Sequence, residues 1–251
     1  MAWRSSGSSN ASLVENLWRN RLITQPAVKD AFLRVDRAHY APSAAYHDSP
    51  QYIGHDATIS APHMHASAVE SLLPFLLPPE QQQEVGEGAG TGARGRRRRV
   101  LDIGSGSGYL THVLAELVGE GGVVVGLEHI APLRDLGEAN MRKSARGRAL
   151  LDEGRVRFRV GDGRRGWVEP DEGQGQGEEG GWDAIHVGAA AAEMHEELMG
   201  QLRSPGRMFI PVEDGRGEQF IWTVDKDADG NVVKKRLYGV RYVPLTDPPR
   251  V

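Results

Sequence analysis

Apolar residues recur at spacings of three and four near the start of the chain, where Leu13, Val14, Leu17, Trp18 and Leu22 predict a helix over residues 12–23. Ser12-Leu-Val-Glu15 offers a capping box at its start. Pro26 sits early in a second short helix, where a missing N–H costs little, with Ala27, Phe32 and Val35 on the apolar side. Residues 36–50 are rich in turn formers and read as a wrapping segment. An extended piece over 58–61 then enters a third helix, expected from Pro62 to about Leu73 with Met64, Ala68 and Leu72 on one face. From Arg99 the rhythm changes. Short apolar runs at 100–103, 123–127, 156–160, 184–187 and 208–212 alternate with helical stretches after the first, second and fourth. That alternation predicts an α/β fold, a mainly parallel sheet with helices on both faces and a helical N-terminal extension. Two further strands, 220–224 and 232–244, are joined by Ala228-Asp-Gly-Asn231, a hairpin signal.

Composition interrupts this pattern twice. Residues 80–99 hold five Gly and five Arg, and residues 171–181 hold five Gly. Neither stretch can bury apolar surface, so both predict flexible surface loops, with Arg96 to Arg99 read as a solvated loop end rather than an RNA or nuclear-import patch. The chain divides accordingly into a helical covering region 1–79, a loop 80–99 and a core 100–251 carrying the 171–181 loop, all in one compact unit. Lys+Arg 30 against Asp+Glu 34 gives a net charge of -4, so bulk charge points to no stable nucleic-acid partner. No apolar run approaches the ~20 residues of a membrane span, and the opening residues lack the apolar stretch of a secretory signal. The expectation is a soluble, cytoplasmic chain. With Cys 0, disulfides, thiolate nucleophiles and cysteine-ligated metals are excluded.

The strand at 100–103 runs straight into Gly104-Ser-Gly-Ser-Gly108 and a helix, and Glu128 ends the next strand. Glycine lets the backbone turn sharply and lets a ligand lie against it, and an acid at that site accepts hydrogen bonds from ribose hydroxyls. The spacing lacks the Gly-x-Gly-x-x-Gly of a pyrophosphate-binding turn, and Asp102 would place a carboxylate beside the phosphates. A ligand with a positive sulfonium and ammonium suits it better. Val100-Leu-Asp-Ile-Gly-Ser-Gly-Ser-Gly-Tyr109 thus resembles the first motif of the Rossmann-like S-adenosylmethionine methyltransferases.

Ala57-Thr-Ile-Ser-Ala-Pro-His-Met-His-Ala66 carries more information. An extended piece entering a helix at Pro62 places Ser60 and free backbone N–H groups where a carboxylate can dock; alternatively Ser60 only caps that helix. His63 and His65 lack a third ligand at useful spacing, so no metal is expected. Here, and at Asp36-Arg-Ala-His-Tyr40, Asp48-Ser-Pro-Gln51, Val160-Gly-Asp-Gly163, Asp183-Ala-Ile-His-Val-Gly-Ala-Ala-Ala191, Ile210-Pro-Val212 and Tyr242-Val-Pro-Leu-Thr-Asp247, the chain resembles the protein-L-isoaspartate (D-aspartate) O-methyltransferases, a family of protein-repair enzymes.

That resemblance implies a protein carboxyl O-methyltransferase, S-adenosyl-L-methionine as methyl donor, S-adenosyl-L-homocysteine as product, isoaspartyl proteins and peptides as partners, and a monomer. It makes Ser60 the catalytic residue and brings Thr58, Ala61, His186, Val187, Gly188 and Ala189 to the substrate. It brings Thr58, Ile59, Ser60 and His65 to the cofactor, with Asp102, Gly104 and Gly106 at the methionine end, Glu128 and His129 at the ribose, Gly161 and Asp162 at the adenine, and Thr246 closing over it. Glu128 where Asp is also common, His55-Asp56 before Ala57, Glu213 after Pro-Val and a short tail after Asp247 depart from the family pattern. Other motifs fail: Asp225-x-Asp-x-Asp-Gly230 lacks the Glu of a calcium loop, having Arg236 there, and Asp247-Pro-Pro-Arg250 lacks the Tyr of an amino-methyltransferase. A small-molecule or RNA methyltransferase, or a noncatalytic cofactor-binding scaffold, remains as the competing reading.

Overall fold

The computed structural model describes residues 5–78, 96–169 and 180–245. Its first helix, α1 (Asn10–Arg19), starts earlier than the sequence pattern places it. Ser9 is the N-cap and Ser12 sits at N3, so Ser12 closes the capping box instead of opening it. Glu15 pairs with Lys29 of the next helix at 2.8 Å. The helix ends short of Ile23 because Arg21 turns into the left-handed region at φ 57, yet Ile23 is still buried. α2 (Pro26–Arg34) begins at its proline as expected, and a 3-10 turn follows at Arg37–His39.

Next comes a hairpin that the hydrophobic pattern does not announce, β1 (Gln51–Gly54) against β2 (Ala57–Ile59). Its turn holds His55 and Asp56 at φ 53 and 55, the left-handed pair that a tight hairpin demands and that Asn and Gly usually fill. α3 (Pro62–Leu76) runs past the expected stop and through Pro74, because burying Phe75 and Leu76 offsets the missing proline N–H.

The remainder alternates as the pattern predicts: β3 (Arg99–Ile103), α4 (Tyr109–Leu117), β4 (Val123–Glu128), α5 (Ala131–Met141), α6 (Ala145–Asp152), β5 (Val156–Val160), β6 (Trp182–Val187), α7 (Glu196–Gln201), β7 (Leu202–Glu213), β8 (Gln219–Lys226) and β9 (Val232–Val240). One seven-stranded sheet has the order β5-β4-β3-β6-β7-β8-β9, parallel from β5 to β7 and antiparallel from β7 to β9. Val100, Val124, Ala184, Phe209 and Ile221 turn to one face and share a core with residues of α1 to α6. Leu101, Ile103, Val125, Leu127, Ile185 and Val187 turn to the other, against Leu198 of α7. The N-terminal helices therefore pack into the core of the sheet. Chain direction across the sheet reverses between β3 and β6, which opens a crevice at their carboxyl ends.

Two expectations need correction. β9 stops at Val240, not Pro244, because the Gln219 side chain takes over the backbone of Tyr242, accepting from its N–H at 2.6 Å and donating to its carbonyl at 3.3 Å. Residues 242–245 then turn toward Ala190, which bridges to Pro244. The arginine run is not a solvated loop end either. Arg98 is 3 % exposed, and Arg96, Arg98 and Arg203 donate to the buried Asp183 carboxylate at 2.7, 3.3 and 2.8 Å. A carboxylate with no access to water draws in the nearest cations. Most of the two glycine-rich loops, 79–95 and 170–179, lies outside the described residues.

Candidate active site

The crevice is floored by β3 and β6, where Asp102 and His186 stand in register on adjacent strands. His186 Nδ1 donates to Asp102 Oδ1 at 2.8 Å, and the Thr111 hydroxyl of α4 donates to Oδ2 at 2.6 Å. Asp102 is almost completely buried, so these two bonds hold a carboxylate rigidly at the mouth of the glycine loop. The loop itself turns at Gly104, Gly106 and Gly108, all at positive φ. At Gly108 there is a second constraint: a Cβ would lie 2.9 Å from the Gly137 carbonyl, so α5 crosses the loop at a distance only glycine permits.

Glu128, at the end of β4, is oriented by the same loop. Its Oε2 accepts from the Gly106 N–H at 3.0 Å, and its Oε1 accepts from the N–H groups of His129 at 2.9 Å and Ile130 at 3.2 Å. Burial opposes the charge on Glu128, but bonds from His129, Gly106 and Ile130 outweigh it and hold the carboxyl below its ordinary pKa. Gly161 donates to the Glu128 carbonyl at 3.0 Å, which brings the end of β5 beside it. The neighbouring Asp162 carboxylate is chelated by Arg164, whose Nη2 lies 2.8 Å away.

On the opposite wall stands the segment between β2 and α3. Ala61, not Ser60, is the N-cap of α3, and no side chain caps the helix, so the capping alternative for Ser60 does not hold. The expectation of free N–H groups at this helix start also fails. Pro62 has none, and the His63 N–H donates to Asp48 Oδ1 at 2.9 Å. Asp48, from the turn-rich stretch, is thus the carboxylate docked on the helix. Ser60 is left partly exposed with the Tyr242 phenol as a hydrogen-bonding neighbour, and burial raises the pKa of that phenol.

One cavity brings the two walls together. Of the sequence-predicted residues, Thr58, Ile59, Ser60, His65, Asp102, Gly104, Gly106, His186 and Gly188 line it. Ala61, Val187 and Ala189 are buried and lie outside that lining; Glu128 and His129 at the end of β4, and Gly161 and Asp162 just after β5, also lie outside it. Thr246 lies outside the described residues. Sequence reasoning passed over Ser105, Ser107, Tyr109 and Leu110 in the lining. Two of these bear on ligand binding: Ser105 Oγ and Tyr109 OH are buried polar atoms with no partner among the described residues. With the glycine backbone and two fixed carboxylates, they fit a ligand rich in donors and positive charge, as S-adenosylmethionine is.

The chain matches the family model for protein-L-isoaspartate (D-aspartate) O-methyltransferase over residues 8–94 and 95–249. It is 43 % identical to a Caenorhabditis elegans protein-L-isoaspartate O-methyltransferase, covering 98 % of this chain and 96 % of the relative. An Arabidopsis thaliana protein of the same kind is 42 % identical, over 96 % and 93 %. Among solved structures, a Plasmodium falciparum chain assigned as a protein-L-isoaspartate O-methyltransferase, in complex with S-adenosyl-L-homocysteine, superposes with a TM-score of 0.78. That match has 32 % identity and covers 96 % of this chain and 99 % of the other. A crevice at the reversal of a parallel sheet, a glycine loop flanked by two fixed carboxylates, and matches over nearly the whole length all converge: this chain belongs to the protein-L-isoaspartate (D-aspartate) O-methyltransferase family.

Proposed function

We propose that this cavity methylates the free α-carboxylate of L-isoaspartyl residues, and the free β-carboxylate of D-aspartyl residues, in damaged proteins and peptides, with Ser60 holding the carboxylate. The observation that carries the assignment is the position of Ser60: it lines the same cavity as the glycine loop, and its hydroxyl is not spent on capping α3. S-adenosyl-L-methionine, when bound, supplies a methyl group on a positive sulfur; the oxygen–methyl bond forms as the sulfur–methyl bond breaks, and S-adenosyl-L-homocysteine remains.

The residues have a modest task. In isoaspartate the chain runs through the side-chain carbonyl, leaving an α-carboxyl with a pKa near ~3.5 that is ionised at neutral pH. No general base is needed, and alignment provides most of the acceleration. Ser60 donates to one carboxylate oxygen while Thr58, His186 and Gly188 bound the space around it. Asp102 and Glu128, with Gly104 and Gly106, hold the donor. Tyr109 OH and Ser105 Oγ satisfy their own hydrogen bonds on bound ligand. Once made, the ester is displaced by the following backbone nitrogen to a succinimide, which hydrolyses partly to aspartate without an enzyme.

Among the described residues no helix is long and apolar enough to cross a membrane. A net charge of -4 and a chain without cysteine are read as cytoplasmic and without a stable nucleic-acid partner, and the family resemblance implies a monomer. Paired peptides test the acceptor. They have identical composition and differ only in whether the free carboxyl sits on the α-carbon or one methylene away. Because a misplacement of about an ångström can cost ~100-fold in rate, the isoaspartyl peptide should be methylated at least that much faster. Equal rates overturn the assignment.

A further inference from the structure

Arg37 lies behind the acceptor wall, at the start of the 3-10 turn after α2, and is 0 % exposed. A buried guanidinium is ordinarily matched by a carboxylate, since an uncompensated charge away from water is costly. Here the partners are neutral. Nη2 donates to the Ser60 carbonyl at 2.8 Å, and Nη1 lies 3.3 Å from His65 Nδ1. The charge also stands 5.1 Å from the centre of the Tyr109 ring, and Nε has no partner among the described residues. Asp48 is the acid that acts on Arg37 through space, but no carboxylate among the described residues comes within ion-pair distance, and Asp48 Oδ1 is already shared by the His63 backbone and ring. Burial lowers the Arg37 pKa to about 10, so it remains a cation at neutral pH.

This arrangement fixes the state of His65. A guanidinium can only donate, so His65 Nδ1 must accept, and the ring proton sits on Nε2. Burial, then the charge of Arg37, pull the His65 pKa well below its usual value, so the ring stays neutral. The cavity is therefore electrically lopsided. Its glycine-loop end carries Asp102, with Glu128 beyond it, while the Ser60 end is backed by Arg37, which has no carboxylate among the described residues within ion-pair distance because the acid that acts on it, Asp48, is turned to His63.

We infer that Arg37 is a positioning residue for the acceptor: its charge, brought to the cavity through the Ser60 carbonyl and His65 that it grips, is the counter-charge that the substrate carboxylate completes. The inference rests on the assignment of Ser60 as the carboxylate holder, and it adds a selection rule. A carboxylate entering the cavity is attracted; the neutral methyl ester leaving it is not. Recognition of the anion and release of the product thus follow from the same buried charge.

The test compares two ligands. Affinity is measured, with S-adenosyl-L-homocysteine present, for an isoaspartyl peptide and for its twin whose α-carboxyl is a carboxamide. Wild-type protein should prefer the carboxylate. Arg37→Met should lower that preference about ten-fold, or about 1.4 kcal/mol, with carboxamide affinity unchanged, and Arg37→Lys should keep most of it. Equal weakening of both peptides, or an unchanged preference, overturns the inference by reducing Arg37 to a structural prop. Wild-type protein that fails to methylate the isoaspartyl peptide would instead overturn the assignment of the site. Nitrogen-15 NMR of wild-type His65 does not depend on the variants folding: a bare Nδ1 and a protonated Nε2 are expected at neutral pH, and a proton on Nδ1 overturns the inference.

Discussion

On the proposed function the cavity has a donor wall and an acceptor wall, and the two are assembled in different ways. On the donor side, Asp102, Gly104, Gly106, Thr111 and Glu128 all come from the continuous run β3, α4 and β4. Each is fixed by a bond to a close neighbour on that run, with His186 of the adjacent strand as the outside contribution. On the acceptor side, Arg37, Asp48, Ser60, His65 and Tyr242 come from a 3-10 turn, a loop, the entry to α3, α3 itself and the segment after β9. Their contacts span long stretches of chain and join a cation, an acid and hydroxyl groups around one short extended segment. A binding surface for a fixed ligand can be written into one supersecondary unit. A surface that must select one carboxylate of a polypeptide is here gathered from all along the chain.

Ser60→Ala should separate the walls most sharply. Losing the hydroxyl that aligns the carboxylate should slow methyl transfer about 100-fold, while S-adenosyl-L-homocysteine affinity changes little by calorimetry. If instead cofactor affinity falls as far as the rate, the walls are not functionally distinct and Ser60 belongs to the donor side.

A smaller effect is expected from the donor side. Asp102→Ala leaves His186 Nδ1 and the Thr111 hydroxyl without their buried acceptor, and Glu128→Ala frees three backbone N–H groups. Each should cost about 1 to 3 kcal/mol of cofactor affinity, with Asp102 toward the upper end because it is the more buried. Unchanged affinity in both variants would remove these carboxylates from the cofactor site.

The same contrast explains what was legible in the sequence. The glycine loop, the acid after it and the strand–helix alternation are local signals, and the structure follows them closely from Arg99 to Glu128. Ser12 misled because a serine fits both ends of a capping box, and only the packing of α1 decides which. The β1–β2 hairpin was invisible because His55 and Asp56 occupy a turn whose usual residues are Asn and Gly. Asp48 on the His63 N–H and Arg37 on the Ser60 carbonyl join residues 15 and 23 positions apart. No periodicity connects such pairs; the stretch Asp36-Arg-Ala-His-Tyr40 offered only an arginine close to apolar neighbours. The resemblance to a known family singled out Ser60 and His65, which line one cavity, but not the charge behind them.

The smallest effect is expected from the glycine-rich segment before Arg96. Replacing residues 80–95 by a short Gly-Ser connection should leave thermal stability and peptide methylation close to wild type, since the entropy of closing a loop changes only slowly with its length. The replacement must stop before Arg96, because Arg96 and Arg98 hold the buried Asp183 carboxylate, and cutting them would leave that charge with only the Arg99 N–H and Arg203 of these donors. A variant extended through Arg98 should therefore lose stability even though the shorter one does not, a difference read directly as two thermal midpoints. Loss of methylation by the shorter variant at an unchanged midpoint would mean that this segment touches the polypeptide substrate, and the acceptor wall would then extend well beyond Arg37, Ser60 and Tyr242.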